Sequence, residues 1–432
     1  MNLRRGAIFL AILTALIAVL GDWSGSSVLG VLWRLPAGLL LLGLAYESFV
    51  VRRARVELTI DVSPQLYLGR PAQLLMCLKQ QLQRTLTVEF APVAPEPFNL
   101  EFSVHRAEVP VGTHTTAGFA ATPRRLGRFQ WPVQPIRIAG PLGLAWWSRK
   151  LEPQCKVRVV PDLARDSALA HGLGSIGNRI APRRGAGAEL LQMRQYQAGD
   201  PLRIVDWKAS ARARRLISRD FAEDQHLEVV VVIDAGRSSG MRAGELDRFG
   251  HYVNTAARLA QYVVTQGDLV GLVVYADRPL AALAPARGTE AVARMRRALA
   301  SAQATGNESN PLAAALRVRS LVRQRSLVVL LTDLDDAAVA GQLLAATRML
   351  LPKHLPFIAG LSSPDAESLS VSMAESWLDP FESLAAQEYC TGLDRKVQAL
   401  RAMGAPALIA RPDQLEKAVL EAYGNFRRRR RV

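Results

Sequence analysis

The segment Leu227-Glu-Val-Val-Val-Val-Ile-Asp234 decides the fold of the second half of the chain. It is apolar except for Glu228, and it ends at an acidic residue. Short apolar runs of this kind, rich in β-branched residues, are typical of strands that are buried on both faces of a sheet. Two similar runs follow, at 269–275 and 326–332, and the second also ends at an acid, Asp333.

Helical patterns separate these strands. Apolar residues recur at three- and four-residue spacing in the intervening segments, at 246–264, 290–302, 311–322 and 337–350. Two further strands, at 356–361 and 407–410, alternate with helices at 381–403 and 412–423. The alternation predicts an α/β domain over 227–426, with a doubly wound, mostly parallel sheet. Ligands bind beyond the carboxyl ends of such strands, so Asp234, Asp333 and Asp335 mark the expected working edge.

Residues 56–162 predict a small β-sandwich domain. The segment Val56-Glu-Leu-Thr-Ile-Asp-Val62 alternates between apolar and polar residues, as a strand with one buried face does. Eight prolines between positions 92 and 141 fit loops and edge strands better than helices. No cluster of His, Asp or Cys in this region indicates chemistry.

Two apolar segments at the N-terminus predict a transmembrane helical hairpin over residues 1–55. The first spans 7–20, and the second spans 28–51 with only Arg34 and Glu47 as charged interruptions. Each is near the length of about 20 residues that crosses a bilayer. A cleaved signal peptide is disfavoured because no small-residue cleavage site follows the first segment and a second span does. A pair of buried core helices is the other alternative.

Flanking charge predicts the orientation of the hairpin. Arginines precede the first span and follow the second, whereas the short connection carries Asp22 and no basic residue. These arginines are Arg4, Arg5, Arg52, Arg53 and Arg55. Positive charge favours the cytoplasmic side, so both termini are expected in the cytoplasm beneath a bacterial inner membrane.

Overall charge and cysteine content narrow the function classes. The 432 residues include 54 Lys and Arg against 38 acidic residues, a net charge of +16, and residues 427–432 form a basic tail. This balance suits anionic lipid or acidic protein partners. It is also compatible with nucleic acid, which is not the partner we expect. Three widely spaced cysteines without a Cys-x-x-Cys pair argue against both a disulfide scaffold and a zinc site.

Residues 163–226 predict a linker followed by a charge-dense segment. Positions 165–189 are glycine-rich, yet they lack the Gly-Lys-Ser/Thr ending of a phosphate-binding loop. The following segment reads Arg194-Gln-Tyr-Gln-Ala-Gly-Asp-Pro-Leu-Arg-Ile-Val-Asp-Trp-Lys-Ala-Ser-Ala-Arg212. Its charge spacing predicts a salt-bridged surface helix from about Pro201, with Trp207 packed inward.

The same segment resembles the signature of the domain-of-unknown-function 58 family. The matching residues are Arg194, Tyr196, Gly199, Asp200, Arg203, Asp206, Trp207, Lys208, Ser210, Ala211 and Arg212. The family's Ile-Asp is Val205-Asp206 here. The resemblance implies a von Willebrand factor A-like domain after two N-terminal spans and a β-rich region, in which Gly140-Pro-Leu-Gly-Leu144 also looks like the family.

The resemblance also implies a degenerate metal site. Von Willebrand factor A domains bind a divalent ion through an Asp-x-Ser-x-Ser loop, a threonine loop and a later Asp, and Mg²⁺ favours six oxygen ligands. Asp234, Ser238 and Asp333 match this set, whereas Gly236 replaces the first serine and the threonine position falls near Ser309 or Asn310. The alternative is that no metal binds, so that Asp234 caps the following loop or helix with Asp333 opposite it. The acids would then meet a different cation, such as a partner's Lys or Arg.

The resemblance further implies a link to MoxR-type AAA+ ATPases. We therefore expect a membrane-anchored, non-enzymatic adaptor that binds such an ATPase and other membrane or envelope proteins during assembly or remodelling. Its partner-binding surface would comprise Asp234, Ser238, Asp333 and Asp335. One alternative is a serine hydrolase, since Gly236-Arg-Ser238-Ser-Gly240 fits Gly-x-Ser-x-Gly and Asp333 and His354 follow. A structural envelope protein is the other.

Overall fold

A computed structural model describes residues 2–24, 29–101, 103–162, 184–222, 226–335, 337–373 and 375–429. It divides into two compact units, Met1–Asp162 and Leu163–Val432. The fold class is confirmed as a mixed α/β chain with several sheets, one of which contains parallel strands. Cys77, Cys155 and Cys390 are unpaired.

The first unit opens with apolar helices. Strand β1 (Asn2–Leu3) is followed by α1 (Arg5–Ser24), α2 (Leu29–Leu32) and α3 (Arg34–Arg53). By length and composition, α3 is apolar enough to cross a membrane, and Arg5–Leu20 forms a shorter apolar helix. Most of the large apolar side chains on α1 and α3 face outward, for example Phe9 and Leu42, which are 69% and 74% exposed.

Short strands make up the rest of this unit. They are β2 (Val56–Asp61), β3 (Gln65–Tyr67), β4 (Ala72–Gln80), β5 (Leu86–Phe90), β6 (Phe98–Leu100), β7 (His105–Val109), β8 (His114–Pro123), β9 (Gly127–Gln130), β10 (Gln134–Ala139), β11 (Ala145–Leu151) and β12 (Lys156–Val160). They pair as three sheets, in the orders β1-β11-β10-β5-β7, β2-β4-β8-β6 and β3-β12-β9. Alternate residues such as Leu74, Met76 and Leu78 are buried, as period-two patterning requires.

The second unit begins with a small hairpin. Strands β13 (Arg184–Gln195) and β14 (Ile217–Ala222) pair antiparallel, and between them lie a 3-10 helix (Leu202–Ile204) and α4 (Trp207–Ala213). The prediction of a linker over 165–189 is therefore wrong from Arg184 onward, because the register shifts after Gly185 and accommodates the glycines within a bulged strand. Residues 165–183 lie outside the described ranges.

A six-stranded sheet forms the centre of the second unit. Its strands are β15 (Glu228–Asp234), β18 (Leu269–Tyr275), β19 (Pro279–Ala286), β20 (Leu327–Leu331), β21 (Leu355–Leu361) and β22 (Ala407–Ala410), in the order β19-β18-β15-β20-β21-β22. All neighbours pair parallel except β19, which is antiparallel to β18. A minor hairpin joins β16 (Arg242–Ala243) to β17 (Leu246–Asp247).

Helices cover both faces of this sheet. They are α5 (Arg248–Thr265), α6 (Gly288–Ser301), α7 (Pro311–Leu321), α8 (Ala337–Leu350), α9 (Pro364–Val371), α10 (Asp379–Ala402) and α11 (Leu415–Arg429). Val230, Val232 and Leu330 pack in a buried cluster with residues of α7, α8 and α10. On the opposite face, Phe357 contacts Phe426 of α11, with ring centroids 5.3 Å apart.

The predicted basic tail, 427–432, begins inside α11. Arg427 donates hydrogen bonds to the carboxylate of Asp268, at 3.1 Å, and to the side chain and carbonyl oxygens of Gln266. The first arginine of the run therefore belongs to the packed domain. Residues 430–432 lie outside the described part of the chain.

Candidate functional site

Asp234 lies at the carboxyl end of the central strand β15 and has no exposed surface. Its Oδ1 accepts hydrogen bonds from the Gly236 N–H at 2.9 Å and the Ser309 hydroxyl at 2.6 Å. Its Oδ2 accepts from the Thr332 hydroxyl at 2.7 Å and the Tyr275 hydroxyl at 3.3 Å. A carboxylate offers about four lone-pair sites. These four donors therefore occupy the hydrogen-bonding capacity of Asp234.

Asp333 follows β20 at the same edge of the sheet and is 2% exposed. Its Oδ1 accepts a hydrogen bond from the Tyr252 hydroxyl at 2.6 Å, and the Arg248 guanidinium lies 3.1 Å away. The same guanidinium lies 2.5 Å from the carboxylate of Asp335. Arg248, the first residue of α5, thus bridges the two acids as an internal cation.

Burial and charge set the protonation states in this cluster. Burial raises the pKa of Asp333 to about 6 against the opposing charge of Arg248. Burial alone would lower the pKa of Arg248, but the carboxylates of Asp333 and Asp335 outweigh it and raise that pKa. Burial, followed by the charge of Asp333, raises the pKa of the Tyr252 phenol. Arg248 stays charged, whereas Asp333 is poised to take up a proton in mildly acidic solution.

Helix α10 holds the loop that carries these acids. The Lys396 ammonium donates hydrogen bonds to the carbonyl oxygens of Leu334 and Asp335, at 2.5 and 2.8 Å. Asp333 and Asp335 therefore share the Arg248 guanidinium, Lys396 adds one neighbouring ammonium, and Asp234 is held by neutral donors alone. The edge keeps an excess of negative charge when all three acids are ionised.

A cavity of about 270 Å³ opens beside this cluster. It is lined by Arg237, Ser238, Met241, Glu308, Ser309, Asp335 and Val339. At its rim, Arg237 and Glu308 form an exposed ion pair at 2.9 Å. Ser238 and Asp335 line the cavity, whereas Asp234 and Asp333 are enclosed beneath it. The structure thus brings all four predicted residues to one edge, but only Ser238 and Asp335 line its opening.

Gly236 has a specific steric role in this arrangement. A Cβ atom built at this position would lie 2.0 Å from the Ser309 hydroxyl oxygen. The Ser309 hydroxyl therefore fills the space that a side chain at position 236 would occupy, and it binds Asp234 from there. The sequence placed Ser309 near the site through the resemblance, but it gave no signal for Arg248, Tyr252, Tyr275 or Thr332.

The contacts at this edge compete with a divalent ion for its predicted carboxylate ligands. Within the described ranges, no group of three or more His, Cys, Asp or Glu side chains could hold a metal. The oxygens of Asp234 already accept four donors, and the guanidinium of Arg248 lies between Asp333 and Asp335. A metal ion bound there would meet strong repulsion from that guanidinium in a poorly solvated site.

His354 lies at the opposite end of the sheet from Ser238. It immediately precedes β21, whose first residue pairs with the first residue of β20, and it is 2% exposed. Asp333 lies two residues beyond the end of β20. Because the strands are parallel, His354 is roughly 20 Å from the edge that carries Ser238 and Asp333. The structure therefore brings Ser238 and Asp333 together without this histidine.

The signature residues form an ion-paired frame within the small hairpin. Arg194 makes two hydrogen bonds to the carboxylate of Asp200, at 2.7 and 2.8 Å, and a third to Asp220 at 3.2 Å. The bond from Arg194, followed by one from the Gln197 N–H, lowers the pKa of Asp200 to about 2. The Tyr196 hydroxyl donates to the Asp200 carbonyl at 3.3 Å. These residues hold the turn that follows Gln195 in one conformation.

A second part of the frame begins the short helix α4. Asp206 accepts a hydrogen bond from the Ala209 N–H at 3.0 Å, and it pairs with Arg219 at 2.8 Å. The predicted helix from Pro201 is wrong in its start, since α4 begins at Trp207. The predicted inward packing of Trp207 is also wrong, because this side chain is 63% exposed. A helix of seven residues behind an N-cap offers too little buried surface to enclose an indole.

In the first unit, Glu47 forms a buried contact that sequence reasoning did not assign. It lies in α3, has no exposed surface, and accepts hydrogen bonds from the backbone N–H groups of Leu142, Leu144 and Ala145 at 2.9 to 3.0 Å. The Trp147 indole N–H lies 3.4 Å from the same carboxylate. A Cβ at Gly140 would lie 2.0 Å from Glu47 Oε2, so glycine is required for this approach. The loop Gly140-Pro-Leu-Gly-Leu144 thus binds the Glu47 carboxylate of α3.

Two further contacts fix the same helices to the β region of the first unit. Arg149 donates hydrogen bonds to the carbonyl oxygens of Ala54 and, at 2.8 Å, Arg52 at the end of α3. Strand β1, which precedes α1, pairs antiparallel with Ala145 and Trp146. Both ends of the helical segment are therefore bound to the same small sheet.

Comparison with known proteins agrees with the signature. The family described as Protein of unknown function DUF58 matches residues 192–355. Uncharacterized proteins of Mycobacterium tuberculosis and Mycobacterium bovis are 25% identical to this chain over 269 residues, which is 59% of this chain and 84% of each relative. The matched family segment includes the signature, Asp234, Ser238 and Asp333.

Two solved structures that this chain resembles are distant likenesses. The CARDB domain of a Pyrococcus furiosus protein is 8% identical and covers 24% of this chain and 93% of its own, with a TM-score of 0.18. Proximal thread matrix protein 1 from the mussel byssus is 13% identical and covers 46% of this chain and 45% of its own, with a TM-score of 0.28. Likenesses this distant do not define the fold.

Proposed function

We propose that the chain is a membrane-anchored, non-enzymatic protein-binding adaptor with a von Willebrand factor A-like domain. The observation that carries the proposal is the strand-end edge, where buried carboxylates are held by internal donors beneath an open cavity. The sheet order and the acid at the end of the central strand support the domain assignment. The side chains at this edge form hydrogen bonds and ion pairs with one another. This arrangement suits a preformed binding surface better than a catalytic site.

The anchor is proposed to be a two-span hairpin with both termini in the cytoplasm of a bacterium. Strand β1, before α1, pairs with β11, and the end of α3 is held by Arg149 of the same strand. The chain leaves this small sheet before α1 and returns to it after α3. This path supports two antiparallel crossings of the membrane better than one. The arginines that flank the hairpin support the cytoplasmic side for that sheet.

The strand-end edge is proposed to work without a metal ion and to accept a basic side chain from a partner. Arg248 already supplies one internal cation, yet the edge keeps an excess of carboxylates. Asp335 lines the cavity and its side chain is 21% exposed, so a lysine or arginine can reach it. A volume of about 270 Å³ is large enough for one such side chain.

The proposed partner is a MoxR-type AAA+ ATPase acting on other membrane or envelope proteins. The support is the signature match and the absence of a Gly-x-x-x-x-Gly-Lys-Ser/Thr loop in the sequence, so that energy must come from another protein. The serine hydrolase alternative is disfavoured by the distance from Ser238 to His354. A purely structural envelope protein is the second alternative, and it requires no binding at the cavity.

The experiment is affinity capture from detergent-solubilised membranes. The wild-type chain is compared with Asp335→Asn, which removes the accessible carboxylate, and with Glu290→Gln, which removes an exposed carboxylate on α6 as a matched control. Capture of the ATPase by wild type and the control, with at least a fivefold loss for Asp335→Asn, is the expected result. Equal capture by all three chains, or no ATPase captured by any, contradicts the proposal.

A further inference from the structure

The segment between β21 and β22 exposes a group of large apolar side chains. They are Val371, Met373, Trp377, Phe381 and Leu384, which are 82, 91, 77, 66 and 64% exposed. Residues 364–388, which we name the acidic tip, contain six acidic residues and no Lys, Arg or His. This composition stands out in a chain whose net charge is +16. Exposed apolar side chains among charges of one sign are typical of a protein-binding surface.

Hydrogen bonds within the acidic tip hold its parts together. Asp379 accepts hydrogen bonds from the N–H groups of Glu375 and Ser376, both at 2.7 Å, and these bonds lower the pKa of Asp379. The Gln387 side chain donates to the Ser370 carbonyl at 3.0 Å, which joins α10 to α9. Val371, Phe381 and Leu384 therefore lie on a held pair of helices, and Met373 and Trp377 lie between the two helices.

A second surface of the chain has the complementary character. Residues 201–216, which we name the basic face, contain five basic residues that are all exposed, Arg203, Lys208, Arg212, Arg214 and Arg215. Exposed apolar side chains interleave with them, since Leu202, Trp207 and Leu216 are 65, 63 and 43% exposed. The acid in this stretch, Asp206, is buried and paired with Arg219.

We propose that the acidic tip of one copy binds the basic face of a second copy. The two surfaces match in both respects that govern recognition, opposite charge and exposed aromatic side chains. In one copy both surfaces are exposed, so neither satisfies the other within the chain. An anionic leaflet is an unsuitable occupant for the tip, because Glu367 is paired with Arg411 and the other five carboxylates would be repelled by the leaflet.

Such an interface is heterologous, because the two contacting surfaces are different. Each copy offers one tip and one basic face, so contacts of this kind continue head to tail until a ring closes. The inference goes beyond the proposed adaptor function, since it concerns neither the cavity nor the ATPase. It predicts that the adaptor presents several strand-end cavities to its partner at once.

Charge reversal of the full-length chain in detergent tests the interface. The tip variant is Glu382→Lys with Glu388→Lys, and the face variant is Lys208→Glu with Arg212→Glu; all four side chains are exposed. A control, Arg294→Glu with Arg323→Glu, makes the same charge change as the face variant at exposed positions elsewhere. Mass is measured by light scattering across a concentration series. We expect self-association of wild type and control, weakened at least about tenfold in either surface variant.

Mixing experiments make the test specific to a head-to-tail contact. The tip variant keeps an intact face, the face variant keeps an intact tip, and their reversed surfaces are also opposite in charge, so an equimolar mixture should associate although neither variant does so alone. A chain that carries both pairs of reversals should self-associate again, because its charges remain complementary. The proposal is overturned if wild type is monomeric throughout, if the control weakens association equally, or if the mixture stays monomeric. Association of each variant with vesicles but not with other copies would also overturn it.

Discussion

The Arg248 guanidinium lies 3.1 Å from the carboxylate of Asp333, and this pair organises the strand-end edge. Both side chains are buried, and the pair is extended by Asp335 and by the Tyr252 hydroxyl. Arg248 thus places a cation between two carboxylates at this edge. The proposed partner would reach this edge through the open cavity beside Ser238.

The buried pair makes stability depend on pH through Asp333. Its pKa is raised to about 6 in the folded state, above an unfolded value near 3.8. The folded chain binds a proton that the unfolded chain does not, so this group's contribution to the free energy of unfolding falls as pH rises from about 4 to 6. The free-energy difference between wild type and Asp333→Asn, measured by urea denaturation, should therefore favour wild type more at pH 4.5 than at pH 7. A free-energy difference that favours wild type more at pH 7 than at pH 4.5 would contradict the raised pKa of Asp333 in the folded state.

Gly236 and Ser309 should show a strong energetic coupling. Gly236→Ala places a Cβ against the Ser309 hydroxyl and is expected to lower the free energy of unfolding by about 1–3 kcal/mol. In a Ser309→Ala background the same change should cost less, by about 1 kcal/mol or more in a double-mutant cycle. The control is Gly341→Ala, in α8, where no atom lies within 4 Å of the added Cβ and the substitution favours the helix. Simple additivity of the two substitutions would count against close packing of position 236 on the Ser309 hydroxyl.

The contact of Glu47 with the 140–144 loop should protect that loop from exchange. Glu47→Gln removes the charged acceptor from the N–H groups of Leu142, Leu144 and Ala145. Their amide hydrogen exchange in detergent or nanodiscs should accelerate at least about tenfold, because a hydrogen bond to a charged group contributes about 1.5–3 kcal/mol. The matched control is Glu57→Gln at an exposed position of β2. Unchanged exchange in Glu47→Gln would mean that the loop keeps its conformation without the helix carboxylate.

The signature frame depends on the planar guanidinium of Arg194. Arg194→Lys keeps the charge but cannot make two parallel bonds to Asp200 and reach Asp220 as well. We expect faster amide exchange in β13 and β14 and unchanged exchange in β15 and β20, as measured by mass spectrometry. Arg203→Lys is the control, since Arg203 is exposed and belongs to the same signature. Equal protection of β13 and β14 from amide exchange in both variants would show that the frame does not need the planar guanidinium of Arg194.

The sequence predicted the strand-end edge because apolar runs end at Asp234 and Asp333, and parallel strands bring such ends together. It did not predict the groups that neutralise those acids. Tyr252 and Asp333 are 81 positions apart, and no local spacing signals that a hydroxyl or a guanidinium will meet a distant carboxylate. The edge strand β19 was also missed, because Pro-Leu-Ala-Ala-Leu-Ala-Pro-Ala lacks both alternation and β-branched residues. In the sequence, Glu47 appears as an interruption of an apolar span. In the structure, its side chain fixes α3 to the 140–144 loop.

The cavity beside Ser238 provides the most direct test of the adaptor proposal. Ser238→Phe fills the cavity without changing any charge, and Ser320→Phe places the same side chain at an exposed position of α7 as the control. The measurement is the Kd of a purified MoxR-type ATPase of the same bacterium for the full-length chain in nanodiscs. The account predicts binding by wild type and Ser320→Phe, and a Kd at least about tenfold higher for Ser238→Phe. The same Kd for all three chains would contradict a partner site at the strand-end edge.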